Sequence, residues 1–486
     1  MVKSILGKIA EYRLTLRHGG NTLMTELQYY DVVVIGGGPG GYISAIRTAQ
    51  LGLKTALIEN DHLGGVCLNW GCVPSKALLS NAGLLDLIKK ADEFGISFDN
   101  LKFDFTKAIA RSRRIVGRLT KGVEFLLKKN KVVHIDGIAK LTDQHTISVN
   151  GGKTILTSRN IIIATGAVNS PLEGLEIDGV NIISSKEALV LQEVPKNLVV
   201  VGAGATGVEF SYLYRAFGSE VTLLEMRSQI LPSEDQEIAE ELRKCLSRQG
   251  IRIITEARVQ RNKDASGLIS LNLQSKGQEE TIETEKVLVA TGVKGNTGKI
   301  GLENIGLTEN RGFIDVNDKM QTLIPHIYAV GDVTGKMLLA HVAQTQGIVA
   351  AETIAGKITS TIDYVNMPRA VYCEPQVTSF GYTEKEAIQL GHEIRIGRFP
   401  FLANAKAAAI GETEGTVKLV IDCSNEQIIG AHLIGNNVTE ILPELMVTNL
   451  FNGRAEDLAY LTHSHPSLSE AIKEAALAAY GKALHL

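Results

Sequence analysis

The stretch "DVVVIGGGPGGYISAIRTAQLGLKTALIE", residues 31–59, decides the fold. Four apolar residues, Val32–Ile35, end in three glycines. A short apolar run closed by glycine reads as a buried parallel strand. The turn has GxGxxG spacing at Gly36, Gly38 and Gly41. The residues after it predict a helix, and "TALIE" predicts a second strand ending at Glu59. Glycine lets such a turn fold tightly and lets a pyrophosphate approach the helix N-terminus. An acid at the end of the second strand can accept ribose hydroxyls. GxGxxG alone is a weak signal. With strand, helix and acid in place, it predicts a Rossmann-like dinucleotide-binding unit.

The unit recurs. "NLVVVGAGATGVEFSYLYRAFGSEVTLLE" carries Gly202, Gly204 and Gly207 and ends at Glu225. Glu59 lies 18 residues after Gly41, and Glu225 lies 18 after Gly207. Packing glycines would account for one copy but not for two in the same register. The chain therefore reads as α/β with two dinucleotide sites, for two different dinucleotides. "NIIIATGA" at 160–167 and "KVLVATGV" at 286–293 predict buried strands closing on turns at Gly166 and Gly292. They would carry the chain out of the first domain and back, with the second unit inserted between. "IYAVGDVTG" at 327–335 predicts a short buried strand with Asp332 just past its end, where a ribityl or ribose hydroxyl could bond. After about residue 360 the texture becomes α+β. Alternation from Thr416 to Gly435 predicts an antiparallel sheet with one exposed face, and two terminal helices follow.

Bulk properties narrow the function. The 486 residues suffice for several domains, and 44% are hydrophobic. Fifty basic and 53 acidic residues leave a formal charge of −3, so no basic field points to nucleic acid or anionic lipid. No apolar run approaches the ~18 residues of a membrane span. Five cysteines argue against a disulfide framework and for a reducing compartment. Residues 1–23 carry Lys3, Lys8, Arg13 and Arg17 against Glu11 alone. They read as a non-catalytic extension: either an acid-poor targeting peptide, which would send the chain to the mitochondrial matrix, or the result of an upstream start, with Met24 opening a cytoplasmic protein.

Two of the cysteines, Cys67 and Cys72, sit in "GGVCLNWGCVPSK" at 64–76. A zinc site would need about four ligands, and Cys245, Cys373 and Cys423 are scattered, so no metal is expected. Simple buried thiols would not need a glycine-rich turn. A redox pair fits the local physics. "GCVPSKALLS" predicts a helix start with Pro74 in the first turn, Cys72 at the N-terminus and Cys67 in the preceding loop. The helix N-terminus and Lys76, one turn on, favour a thiolate able to exchange with Cys67. A flavin would link such a pair to a nicotinamide, which carries two electrons as hydride.

These features together resemble the flavin-dependent pyridine nucleotide–disulfide oxidoreductases over residues 28–480. The resemblance rests on "GGVCLNWGCVPSKAL", both glycine fingerprints, "YAVGDV", "LLAHVAQTQG" at 338–347 and "HSHPSLSEA" at 463–471. It implies a homodimer. After an extension at 1–27 would come an FAD-binding domain with the redox disulfide at 28–158 and an NAD-binding domain at 159–286. A central domain at 287–358 would complete the FAD site, and a C-terminal α+β dimerisation domain would span 359–486. By resemblance, Cys67 is the interchange thiol and Cys72 the thiol that stacks on the flavin. Lys76 lies beside the flavin, with Glu209 as its ion-pair partner near the nicotinamide. Gly36, Gly38, Gly41, Glu59, Gly166, Asp332 and His341 fall on FAD positions, and Gly202, Gly204, Gly207, Glu225 and Gly292 on NAD positions. His465 matches the family base and Glu470 the carboxylate that orients it; the dyad would reach the cysteines of the other subunit. Histidine titrates in the range such a base needs.

Within the family the motifs come closest to the members that oxidise dihydrolipoamide. The implied partner is a lipoyl-bearing protein of a 2-oxo acid dehydrogenase complex or of the glycine cleavage system. A glutathione-type disulfide reductase is the alternative enzyme; Glu225 disfavours it by repelling a 2′-phosphate, although Arg227 lies close in sequence. A non-catalytic dinucleotide sensor is the alternative of another class, and it would not need both cysteines and the His–Glu pair. The chain departs from the family at Val293 and Gly295, where many relatives carry arginine and proline, and at Trp70, where valine is usual. Its C-terminus, "GKALHL", lacks the paired cysteines of mercuric reductases.

Overall fold

The structure is a computed structural model and describes residues 27–262 and 267–486. The expected extension at 1–23, with Met24, lies outside the described residues. The chain divides into two compact units, each built from discontinuous segments. One comprises residues up to Pro74, Arg113–Ser170 and Val293–Ile362; the other comprises Ser75–Ser112, Pro171–Gly292 and Asp363–Leu486.

The first unit is organised by a seven-stranded sheet. Its parallel part runs Val133–Asp136, Thr55–Glu59, Leu27–Ile35, Thr154–Ile163. The far edge of Thr154–Ile163 is shared: its first half pairs antiparallel with Thr146–Val149, and Ile161–Ile163 pair parallel with Ile327–Ala329. Val32–Val34 and Ile161–Ile163 are fully buried. Uninterrupted β-branched runs are what a parallel strand covered on both faces requires. The helix Pro39–Gln50 follows the first glycine turn and packs on the helix Ala340–Ile354, with Arg47 and Glu352 ion-paired at 2.5 Å. The expected boundary at 158/159 falls inside the strand Thr154–Ile163, so the chain leaves this sheet only after Ile163.

The second unit contains a five-stranded parallel sheet ordered Arg252–Ile254, Glu220–Leu224, Asn197–Val201, Lys286–Val289, Ile182–Ile183. Ala257–Arg261, Ile269–Ser275 and Gln278–Thr284 add an antiparallel meander. A five-stranded antiparallel sheet then runs Arg369–Val371, Gln376–Gly381, Ile428–Gly435, Thr416–Asp422, Ile394–Pro400. Three helices follow it rather than the expected two: Val438–Leu450, Ala455–Tyr460 and Glu470–Ala478.

The expected exposed face of this sheet is absent. Every residue of Thr416–Asp422 is buried, and so is nearly all of Ile428–Gly435. The helix Glu470–Ala478 covers one face so closely that a side chain on Gly397 would run into the Ala475 carbonyl oxygen. On the other face the polar residues are covered too. Lys418, 2% exposed, bonds Asp235 at 2.9 Å, Glu384 at 2.8 Å and Glu237 at 3.0 Å. Asp235 caps the helix Gln236–Arg248. The alternation in sequence is real, but it separates an apolar interior from a buried ionic one.

Burial acts to raise the Asp235 carboxyl, but hydrogen bonding and the charge of Lys418 outweigh it and hold the pKa below the ordinary carboxylate range. Burial likewise opposes the Lys418 ammonium, and its bonds to Glu384 and Asp235 hold its pKa up. Asp235 therefore contributes stability above the unfolded carboxylate pKa, near 3.9, which is lost as pH falls through the lower folded value. Lys418→Met should cost about 3–5 kcal/mol by stranding a buried carboxylate. Urea midpoints should show that gap steady near neutral pH and narrowing below about pH 4, with much of it recovered in Lys418→Met/Asp235→Asn.

Candidate active site

The cysteine segment is shaped by a backbone contact. Gly65 adopts φ +57°, and a Cβ there would lie 2.6 Å from Gly38 Cα in the first glycine turn. Gly64 N–H also donates to the Gly37 carbonyl at 2.8 Å. The segment is thereby seated on the turn before the helix Pro39–Gln50. Cys67 lies on a one-turn helix, Gly65–Asn69, rather than in the loop expected from sequence. It is half-buried, whereas Cys72 is exposed. Cys72 is the first residue of the helix Cys72–Lys89, with Pro74 in its first turn, as the sequence predicts. That position points helix-terminal N–H groups at the sulfur and favours a thiolate.

One turn along the same helix, Lys76 Nζ bonds both carboxylate oxygens of Glu209 at 2.9 Å. Glu209 is buried on the helix Ala205–Ala216. Its Oε1 also accepts the Tyr372 N–H at 3.0 Å, and the Lys76 ammonium sits 4.7 Å from the centre of the Tyr372 ring. Lys76 and Glu209 are thus brought together. Tyr372 was not legible: it lies 163 residues from Glu209, just past the strand Arg369–Val371 and in no motif of its own.

The two glycine turns have the same wiring. Glu59 Oε2 accepts the Gly37 N–H at 2.6 Å, and Oε1 accepts the N–H groups of Asn60 and Asp61 at 2.8 Å. Glu225 Oε2 accepts the Ala203 N–H at 2.8 Å, and Oε1 accepts that of Arg227 at 2.8 Å. A carboxylate has about four lone-pair sites, so each keeps capacity for sugar hydroxyls. Gly38 and Gly204 stand at helix N-caps without a side-chain cap, which leaves first-turn N–H groups for phosphate oxygens. A Cβ on Gly41 would run into the Gly36 carbonyl oxygen, and one on Gly207 into that of Gly202.

The first unit also holds groups that lack a protein partner. Burial lifts the Asp332 carboxyl to about 6, and it has no hydrogen-bond partner among the described residues. The Thr165 hydroxyl, beside Gly166, is buried and equally unpaired. Gln346 fixes the loop before Asp332 by accepting the Gly331 N–H at 2.6 Å. A ligand with a pyrophosphate and several hydroxyls fits these donors and acceptors, as FAD would. Thr165 was missed, although its place just after a buried strand was the available signal. His341 is exposed near the start of the helix Ala340–Ile354. Gly166 and Gly292 both adopt positive φ at strand ends.

His465 and Glu470 meet as expected. His465 Nδ1 lies 2.9 Å from Glu470 Oε1, while Oε2 accepts the Ser467 N–H at 2.8 Å. Burial pushes the Glu470 pKa up, but the Ser467 bond and His465 outweigh it, so the group stays a carboxylate. The His465 side chain is 72% exposed, so Nε2 is open to a reactant. Cys67 and His465 belong to different units. The departure at 293–295 has a physical reason. Val293–Gly295 pairs with Ala167–Asn169, Gly295 N–H donates to the Gly312 carbonyl at 2.8 Å, and a Cβ there would approach that oxygen to 2.6 Å. A proline would lose the bond and clash.

Comparison with known proteins identifies the family. The family model of the pyridine nucleotide-disulphide oxidoreductases matches residues 30–347, and that of their dimerisation domain matches 367–476. A dihydrolipoyl dehydrogenase of Mycobacterium leprae is 43% identical, covering 92% of this chain and 97% of its own length. That of Bacillus subtilis is 41% identical over 94% of this chain and 99% of its own. Among solved structures, LpdA from Mycobacterium tuberculosis superposes with a TM-score of 0.84 at 27% identity, covering 92% of this chain and 99% of its own. The HOCl-induced flavoprotein disulfide reductase RclA from Escherichia coli superposes with a TM-score of 0.81 at 29% identity, covering 91% and 98%.

The two turns should be separable. Gly41→Ala should abolish dinucleotide binding at the first turn and leave the second intact. Gly207→Ala should do the reverse, weakening the second site at least tenfold, since a misplaced turn forfeits its backbone contacts to phosphate. Bound-dinucleotide content and titration calorimetry of the two purified variants check this.

Proposed function

The chain belongs to the pyridine nucleotide–disulphide oxidoreductases, and we propose that Cys67 and Cys72 are its redox-active pair and that His465, oriented by Glu470, is its base. The reaction is that of a dihydrolipoyl dehydrogenase, a flavoprotein that uses FAD and NAD: the dithiol of a lipoyl group is oxidised to its disulfide, and NAD is reduced. The chain acts as a homodimer through its dimerisation domain. Its substrate is carried by a lipoyl-bearing protein, of a 2-oxo acid dehydrogenase complex or the glycine cleavage system. We further place it in the cytoplasm; the relatives compared are bacterial proteins. None of the described helices is long and apolar enough to cross a membrane.

The observation that carries the residue assignment is the seating of Gly65 on Gly38, which holds the cysteine segment against the phosphate-binding turn. One sulfur of the dihydrolipoyl group attacks Cys67 of the Cys67–Cys72 disulfide. A mixed disulfide forms and Cys72 leaves as a thiolate, stabilised at its helix N-terminus. His465 takes the proton of the attacking thiol through Nε2, and Glu470 stabilises the resulting imidazolium. The second lipoyl sulfur then attacks the first, closing the product disulfide and releasing Cys67. The lipoyl group has lost two electrons and two protons, and the cysteine pair has gained two electrons. FAD supplies the passage of those electrons from the thiols to NAD as hydride. Glu209 fixes the Lys76 ammonium by two bonds, so its charge stays in place throughout.

The first glycine turn, with the segment 287–358, serves FAD, and the inserted segment serves NAD. Glu225 supports NAD over NADP because a buried carboxylate there repels a 2′-phosphate.

The test is complementation between subunits. His465→Gln should keep flavin and dimer and lose about 100- to 10,000-fold in lipoamide turnover. Cys67→Ser should be equally inactive while retaining long-wavelength thiolate–flavin absorbance, which Cys72→Ser should lose. Reassociating Cys67→Ser with His465→Gln subunits should restore activity, because one site of each heterodimer then carries neither lesion. Heterodimers that form and remain inactive would show that the base serves its own subunit.

A further inference from the structure

The segment that carries His465, residues 461–469, joins the helices Ala455–Tyr460 and Glu470–Ala478 and holds two histidines with opposite surroundings. The His463 side chain is 6% exposed, and its Nε2 lies 2.8 Å from Glu444 Oε1 on the helix Val438–Leu450. Its Nδ1 is buried without a hydrogen-bond partner. His465 is wired the other way round. Its Nδ1 faces Glu470, and its Nε2 stands open on a side chain that is 72% exposed.

A carboxylate only accepts, so Nε2 of His463 carries the proton and Nδ1 is a bare acceptor. Both ring nitrogens are shut away from a reactant: one is committed to Glu444, and the other is walled in by protein. His463 cannot serve as the base, although it shares the motif. What it can do is hold. Beyond the base, the amide of the buried Asn404 donates to the Ser467 carbonyl at 3.0 Å, and the Ser467 N–H donates to Glu470 at 2.8 Å. The segment is thus tied on both sides of His465, by Glu444 before it and by Asn404 and Glu470 after it. It keeps this course at a cost, because the Ser467 hydroxyl, like His463 Nδ1, is buried and unpaired.

We propose that His463, clamped by Glu444, is a positioning residue that holds the His465 imidazole in its reactive placement. The proposal rests on the assignment of His465 as the base. The clamp changes no proton or electron count. It acts through where the imidazole stands, and about one ångström of misplacement can cost on the order of 100-fold in rate.

The experiment measures steady-state oxidation of dihydrolipoamide by the purified flavin-loaded dimer. Glu444→Leu should lower kcat about tenfold or more and leave KM for dihydrolipoamide within about twofold, because the clamp acts on the base and not on the bound substrate. Glu444→Gln keeps an acceptor for the Nε2–H and should stay within about threefold of wild type. In the His465→Gln background, Glu444→Leu should add less than about twofold, because placement matters only while the imidazole is there. His463→Asn, too short to span to Glu444, should behave as Glu444→Leu does, and it carries the test if that variant does not fold. Wild-type kcat in Glu444→Leu, or a loss that multiplies in full on top of His465→Gln, would leave the pair a general structural role and overturn the proposal. Wild-type turnover in His465→Gln alone would instead remove the assignment of the base, and the proposal with it.

Discussion

The close approach of Gly65 to Gly38 is the constraint from which the site follows. One turn has to receive a pyrophosphate on one side and the cysteine segment on the other, so backbone must meet backbone where most proteins place side chains. A Cβ at Gly65 would stand 2.6 Å from Gly38 Cα, and the Gly64 N–H is already committed to the Gly37 carbonyl. The glycines around the first fingerprint are therefore of two kinds. Gly41 lets the helix start where it must, whereas Gly65, whose Cβ would strike Gly38 Cα, lets a second chemical element lie against it. The second fingerprint has only the first kind: a Cβ on Gly204 would meet nothing within 4 Å.

That asymmetry separates two turns whose local wiring is otherwise shared. Glu59 and Glu225 both reach back to the residue after the first glycine, at 2.6 and 2.8 Å. These bonds fix the turn before any ligand arrives. The first unit adds the half-buried Asp332 carboxyl and the buried Thr165 hydroxyl, neither with a side-chain partner among the described residues. Unpaired polar groups that cost stability in the empty protein become binding contacts when a polyhydroxyl ligand fills the site. A duplicated fold unit has thus been specialised by its surroundings rather than by its turn.

How much was legible in the sequence follows from contact distance along the chain. The strands at Val32–Ile35 and Ile161–Ile163 and the start of the Cys72 helix rest on local patterns, and each was readable; the His465–Glu470 pair was reached by resemblance. Lys76 with Glu209 was reached only by resemblance, because 133 residues separate them. Tyr372, Thr165 and Arg113 were not reached: each acts through a neighbour distant in sequence and carries no motif. The sheet around Lys418 misled for a different reason. Alternation reports which residues share a face and says nothing of what covers that face, and here Asp235, Glu237 and Glu384 from elsewhere in the chain turned a polar face into an interior one.

Three cations show how surroundings distinguish roles. Lys418 faces three carboxylates, so its charge is balanced in every state of the protein. Lys76 is held by both oxygens of one carboxylate, with an aromatic ring on its other side, so it is oriented as well as neutralised. Arg113 rests on the Asn69 carbonyl and the Trp70 indole and makes no ion pair among the described residues. A carbonyl and a ring quadrupole attract a cation without cancelling its charge. Trp70, which stands where valine is usual in the family, supplies the face on which that guanidinium rests.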